Sequence, residues 1–132
     1  MNYKISGKVI RGDGYGKKIG FPTINLDRRG FLKMKKKPKF GVYSGKVKLM
    51  LNTRCLTFRA GIVIGPKEKK NKKGHAKGRA GLPKIEAHLL GYKGNAYGQR
   101  ADLEIQKFIR KFKKFKTEKE LVVQIKKDLR MC

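Results

Sequence analysis

A chain of 132 residues is the length of one domain, and 36 Lys and Arg against 9 Asp and Glu give it a formal net charge of +27. That charge density alone would suit a disordered polymer, but 39% hydrophobic residues, with 5 Tyr and 7 Phe, are enough for a small core. No run of about 18 apolar residues offers a membrane span, and the start, MNYKISGKVIRGDG, lacks the apolar stretch of a secretory signal. Two cysteines, Cys55 and Cys132, make neither a disulfide framework nor a zinc quartet, so a reducing, cytoplasmic setting is expected. The charge calls for anionic partners: nucleic acid, phosphorylated small molecules or an acidic membrane face.

In chain order, Tyr3, Ile5 and Val9 alternate with Lys4, Ser6 and Lys8 and predict a first strand. A glycine-rich segment, Gly12 to Gly20, follows, and then Phe21-Pro22-Thr23-Ile24-Asn25. Lys33 to Lys39 holds five lysines and reads as a loop. Val47, Leu49 and Leu51 predict another strand, and Leu56, Phe58, Ala60, Ile62 and Ile64 the next. Lys67 to Arg79, with seven basic residues among Gly and Asn, reads as a second loop. Ile85, Ala87 and Leu89 predict a further strand, and Leu103 and Ile105 another between Asp102, Glu104 and Gln106. Short strands with glycine turns and little helix suggest a closed or nearly closed antiparallel barrel. Lys107 to Lys116 holds six more basic residues, so the three runs carry half of the 36. Phe108, Phe112 and Phe115 fall at helical spacing, which fits either a helical turn or a loop. Thr117 and Glu120 form a capping box, and Leu121, Val122, Ile125 and Leu129 share one face of the helix that it opens, expected over 117–129.

Two segments could carry chemistry. Gly12, Gly14 and Gly16 alternate after a strand, so backbone amides could approach a phosphate closely, with Lys17 adding a point charge. The spacing fits neither a Walker loop nor the dinucleotide fingerprint, and on the glycines alone a mobile hairpin turn is the favoured reading. Thr23 and Asn25, two apart in an extended segment, present a hydroxyl and a carboxamide oxygen on one side. Two neutral oxygens hold a bare cation poorly but suit Mg²⁺ that arrives with nucleotide phosphates; closing a turn is their ordinary use. Glu86 and His88 share the strand face opposite Ile85, Ala87 and Leu89. There Glu86 could act as a general base, or simply pair with a lysine at the surface. His75 and His88 are too isolated for a zinc site.

Taken in order, these segments resemble the riboflavin kinase family. The resemblance rests on Ser6-Gly7-Lys8-Val9, the glycine segment, Gly20-Phe21-Pro22-Thr23-Ile24-Asn25-Leu26 and Gly41-Val42-Tyr43. It continues through Glu86-Ala87-His88-Leu89-Leu90, Tyr97-Gly98-Gln99, Phe108-Ile109-Arg110, Lys114-Phe115 and the helix from Leu121 to Asp128. It covers nearly the whole chain. It implies a mainly β fold, a six-stranded antiparallel Greek-key β-barrel with a C-terminal α-helix, as a single domain over 1–132. It also implies conversion of riboflavin and ATP to FMN and ADP with Mg²⁺ or another divalent cation. Gly12, Gly14, Gly16 and Lys17 then match the nucleotide-phosphate loop, and Thr23 and Asn25 the metal and phosphate ligands. Glu86 matches the catalytic carboxylate, and Arg110 the arginine of a mobile loop that closes over the flavin. Ile24 stands where the family has alanine. Val63-Ile64-Gly65-Pro66 and a lysine-rich stretch replace the family's Asn-Ile-Gly and Pro-Thr. The adenylyltransferase domain of bifunctional relatives is absent from this sequence, so the expected product is FMN, made by a monomer. Competing readings are a basic barrel that binds nucleic acid and a relative that binds flavin nucleotide without turnover.

Overall fold

The structure is a computed structural model that describes residues 2–12, 15–66, 82–94 and 96–132. The loop expected over 67–79, Gly14 and His75 lie outside these residues. Six strands, β1 (Tyr3–Ile10), β2 (Ile24–Leu26), β3 (Gly41–Leu51), β4 (Arg54–Gly65), β5 (Lys84–Leu89) and β6 (Arg100–Lys111), close into an antiparallel barrel in the order β1-β2-β5-β4-β3-β6. β3, β4 and β5 form a meander, and β2, joined to β3 by a long connection, lies beside β5; that is a Greek key. Helix α1 is one turn at Tyr15–Lys18, a 3-10 segment occupies Arg28–Lys33, and α2 spans Glu118–Arg130.

The alternation in the sequence becomes inside and outside. Ile5, Val9, Val47, Leu49, Ile62, Ile64, Ile85, Leu103 and Ile105 fill the interior and are almost fully buried. Burial of this kind stabilises by about 1.5–3 kcal/mol for each large aliphatic side chain, offset by the ordering of the chain. β2 has three residues, all buried, and closes the barrel through Val9↔Leu26 on one side and Ile24↔Ala87 on the other. The first half of β3, Gly41 to Gly45, is buried throughout rather than alternately. Its glycines admit close neighbours: a Cβ on Gly45 would lie 2.1 Å from the Glu104 carbonyl oxygen, and one on Gly41 2.5 Å from the Phe108 ring.

Phe108 belongs to β6 and stacks edge-on against Tyr43 at 5.3 Å, while Phe112 and Phe115 follow in a non-helical segment. The helical spacing of the three rings therefore marks no helix. β-pairing of Phe108 with Tyr43 wins over any local turn. The capping box forms at its hydroxyl end, where the Glu120 amide donates to Thr117 Oγ1 at 3.1 Å. Glu118 and Glu120 in the first turn of α2, with Lys127 and Arg130 in the last, complement the helix dipole. α2 packs on β4 over Gly61, where a Cβ would lie 3.2 Å from Leu129 Cδ2.

Tyr43 gives this core a pH dependence. Its buried hydroxyl donates to the Lys39 carbonyl at 2.7 Å, and burial, then the neighbouring Tyr3, raise its pKa above the ordinary tyrosine value. A phenol whose pKa is raised on folding stabilises the fold while protonated, and that contribution is lost as pH rises above the unfolded value of about 10. Tyr43→Phe is expected to cost about 1 kcal/mol at neutral pH, from the lost hydrogen bond. It should also flatten the fall in stability between pH 9 and 11. Urea melts across that range check both effects, and an unchanged slope would exclude Tyr43 as its source.

Candidate active site

The site lies on the outside of the barrel. Because Ile85, Ala87 and Leu89 point inward, Glu86 and His88 point outward, and the outward face of β5 borders cavities rather than open solvent. Register places Asn25 directly across from Glu86 on β2 and Val63 directly across on β4. Thr23, two residues from Asn25, projects to the same side.

Two cavities adjoin this face. One, of about 370 Å³, is bordered by Arg11, Gly12, Asn25, Arg28 and Pro66. The other, of about 600 Å³, lies between Phe21, Thr23 and His88 on one side and Arg110, Leu121 and Ile125 on the other. Glu86, Lys84, Val63 and Phe112 border both. Glu86 is thus at the junction of two compartments. The smaller is bordered by Arg11, Arg28 and Lys84 with one ring, Phe112, and the larger by three phenylalanine rings and aliphatic side chains together with Arg110, Lys113, Lys114 and Lys116.

The two oxygens of Glu86 differ. Oε1 accepts from Thr23 Oγ1 at 3.2 Å and is 3.3 Å from Lys84 Nζ, whereas Oε2 has no hydrogen bond among the described residues. One oxygen fixes the rotamer and the other stays available to accept a proton. The lysine pairing expected of a surface glutamate is present as well, and it helps to hold the carboxylate. Asn25 is 8% exposed, and its carboxamide makes no hydrogen bond among the described residues. The residue is buried, but its amide opens on the smaller cavity, where a ligand can reach it. Gly12 is what lets it sit there, since a Cβ on Gly12 would come within 2.2 Å of Asn25 Nδ2. His88 Nδ1 lies 2.7 Å from the Pro22 carbonyl oxygen, so Nδ1 carries the proton and donates, and Phe21 packs edge-on against the ring.

The structure therefore brings Gly12, Thr23, Asn25 and Glu86 together. Lys17 is exposed, in α1, and borders neither cavity; Gly16 shares that single helical turn, where a hairpin was one expectation. Arg110 borders the larger cavity from within β6, not from a loop, and its guanidinium forks onto Asp128 of α2 at 2.8–3.0 Å. Sequence reasoning passed over Lys84, Arg11 and Arg28, all on the smaller cavity. Lys84 was accessible to it, being two residues before Glu86 and so on the same strand face. Arg28 was not, because its place depends on donation to the Leu82 carbonyl across the fold. Among the described residues no group of three or more His, Cys, Asp or Glu converges on a metal position, and no helix is long and apolar enough to cross a membrane.

A closed Greek-key barrel with one C-terminal helix is also the fold of the solved riboflavin kinase from Trypanosoma brucei. That structure aligns with a TM-score of 0.70 over 98% of this chain and 76% of that one, at 20% identity. The chain belongs to the riboflavin kinase family: the family model described as Flavokinase: Riboflavin kinase matches residues 1–132. It is 34% identical over 127 residues to the bifunctional riboflavin kinase/FMN adenylyltransferase of Haemophilus influenzae, and 36% identical over 129 residues to that of Bacillus subtilis. Each match takes in 96% of this chain and 36% of the relative, so the chain spans about a third of the length of these curated relatives.

Proposed function

We propose that the protein transfers the terminal phosphoryl group of ATP to the ribityl 5′-hydroxyl of riboflavin, releasing FMN and ADP. The reading rests above all on one observation: two adjoining cavities, a smaller one beside Arg11, Arg28 and Lys84 and a larger one with three phenylalanine rings among its aliphatic and basic side chains, share the carboxylate of Glu86. ATP occupies the smaller cavity, its phosphates beside Gly12, Arg11, Arg28 and Lys84, and riboflavin the larger. Phosphoryl transfer asks mainly for positioning and charge stabilisation. Thr23 and Lys84 hold Glu86 Oε1 while Oε2 accepts the hydroxyl proton, and the bond from the terminal phosphorus to the bridging oxygen of ADP breaks as the new P–O bond forms. Lys84 balances charge spreading over the phosphoryl oxygens. Arg110 borders the flavin, and Lys17, exposed outside both cavities, adds positive charge that draws the nucleotide in.

The donor set at this place fits a magnesium ion brought in by the nucleotide. Thr23 Oγ1 and the unpartnered Asn25 carboxamide are hard, neutral oxygens, too few to hold the ion without phosphates and water. When bound, Mg²⁺ would neutralise phosphate charge. In this reading residues 1–132 act as one domain, a monomer in the cytoplasm.

Turnover of riboflavin to FMN by the purified chain with Mg-ATP tests the proposal. Binding of FMN without turnover would replace it with a non-catalytic flavin-nucleotide role. Thr23→Ala and Asn25→Ala are each expected to raise the Mg²⁺ and ATP concentrations needed for half-maximal rate about tenfold, the loss of one good contact. Riboflavin affinity should change less in Asn25→Ala, whereas Thr23→Ala should weaken it as well, because Thr23 borders the larger cavity. Titrations that match the wild type for both variants would remove these residues from the nucleotide side.

A further inference from the structure

The wall of the barrel away from the cleft has a charge pattern that the kinase reading leaves unused. In the ring of strands, β3 lies opposite β2 and β6 opposite β5. The outward residues of β1, β6, β3 and β4 stand in rows: Lys4, Glu104, Lys46 and Arg59 in one, Ser6, Asp102, Lys48 and Thr57 in the next, and Lys8, Arg100, Met50 and Cys55 in the third. Six cations surround two carboxylates, one of which, Asp102, pairs with Arg100 of the same wall. Glu104 Oε1 accepts from the amides of Asn2 and Gln106, and Asp102 faces Arg100 Nε at 3.5 Å. The side chains of Lys4, Lys8, Lys46 and Lys48 are exposed and make no hydrogen bond or ion pair among the described residues.

Two of the cross-strand pairs are like-charged. Lys46 is directly opposite Arg59, and Lys8 directly opposite Arg100. Three other pairs, Lys4↔Glu104, Lys46↔Glu104 and Lys48↔Asp102, are of opposite charge. Like charges in register across a sheet oppose folding, and a polyanion on the wall would relieve the two like-charged contacts. Along a strand the outward side chains repeat about every 7 Å, and neighbouring strands lie about 5 Å apart. The lattice of cations therefore has the scale of successive phosphates in an extended nucleic-acid strand. No aromatic residue stands in the three rows, so nothing there stacks on bases.

We infer that the outer wall formed by β1, β6, β3 and β4 is a second binding surface, for the phosphodiester backbone of a single-stranded nucleic acid. Recognition is through phosphate charge, independent of sequence and separate from the cleft. A single strand suits it because a flexible backbone can follow the curved wall, which a rigid duplex would touch only along a line.

The test uses the full chain and a labelled 20-nucleotide polyuridine strand. Fluorescence anisotropy is followed from 50 to 300 mM salt for the wild type and for two triple variants of equal net charge. One changes the wall, Lys4→Gln, Lys46→Gln and Lys48→Gln. The other changes exposed lysines elsewhere, Lys35→Gln, Lys119→Gln and Lys127→Gln. The wall variant should bind at least tenfold more weakly at 150 mM salt, with the log–log salt slope shallower by about 2, as three lost phosphate contacts predict. The control should lose less than threefold. Polyuridine should raise the melting temperature of the wild type and of the control but not of the wall variant. Equal losses in both variants would mean that affinity follows net charge alone and would overturn the proposal. So would the absence of binding at 50 mM salt, or binding to phosphatidylserine-containing vesicles in preference to the strand.

Discussion

Glu86→Gln is expected to lower kcat for FMN formation about 10²-fold or more, the scale of a positioned general base. Glutamine keeps the length and planarity of the side chain and can still accept from Thr23 through its carbonyl oxygen. What it loses is the basic oxygen, which in the wild type is Oε2, free of any hydrogen bond among the described residues. It also loses the attraction to Lys84 Nζ, 3.3 Å away. With the side chain about a fifth exposed, that pair contributes only modestly to stability, so urea midpoints should move little. Riboflavin and ATP affinities should stay within a few-fold, because the loss falls on the transition state. Glu104→Gln is the control. Glu104 lies on the opposite wall, with the amides of Asn2 and Gln106, and its variant should keep wild-type kcat. Equal rates for the two variants would remove Glu86 from proton transfer and leave it a surface carboxylate.

Period-two alternation made β1, β4 and β5 legible, because each has one face in the core and one outside. It failed in two places for one reason. β2 is three residues long, and the first half of β3 is covered on both faces, so neither presents the polar half of the pattern. Those stretches were legible only through the resemblance, as Pro22-Thr23-Ile24-Asn25 and Gly41-Val42-Tyr43. The site followed the same division. Thr23, Asn25 and Glu86 could be named because Asn25 and Glu86 project outward from strands and Thr23 from the extended residue just before β2, at a spacing visible locally. That Asn25 faces Glu86 is a matter of register between strands some sixty residues apart, and no local pattern encodes it. Val63 is the instructive departure. The resemblance leads one to expect asparagine at this position, and the register puts Val63 directly beside Glu86 on the wall of both cavities. The carboxylate therefore has an apolar neighbour on its β4 side, and its polar partners among the described residues are Thr23 and Lys84. The rings at 108, 112 and 115 left a turn and a loop equally open, because a spacing of three or four arises also when a strand ends and a loop begins.

Asp128→Ala is expected to destabilise the fold by about 3 kcal/mol, the cost of stranding one partner of a buried ion pair. Asp128 is 5% exposed and takes a forked contact from Arg110 at 2.8–3.0 Å, with Gln124 Nε2 donating to Oδ1 at 3.0 Å. Removing the carboxylate leaves a guanidinium that is only 21% exposed and faces Phe115 on its other side. Arg110→Met should cost less, since it strands a carboxylate that keeps its bond from Gln124. The double variant Arg110→Met with Asp128→Leu should recover most of the loss, because two apolar groups of similar size need no desolvation. The pair also ties α2 to β6, and both residues border the larger cavity with Leu121, Ile125 and Leu129. Loosening that tie should therefore fall on one substrate. Asp128→Ala is expected to weaken riboflavin binding about tenfold, the equivalent of 1.4 kcal/mol, while ADP binding in the other cavity changes less than twofold. Riboflavin fluorescence quenching and ADP calorimetry, run well below the variant's unfolding midpoint, separate the two ligands. Equal losses for both would mean that the substitution relaxes the whole barrel, and that the ion pair holds the fold together without shaping the flavin side of the cleft.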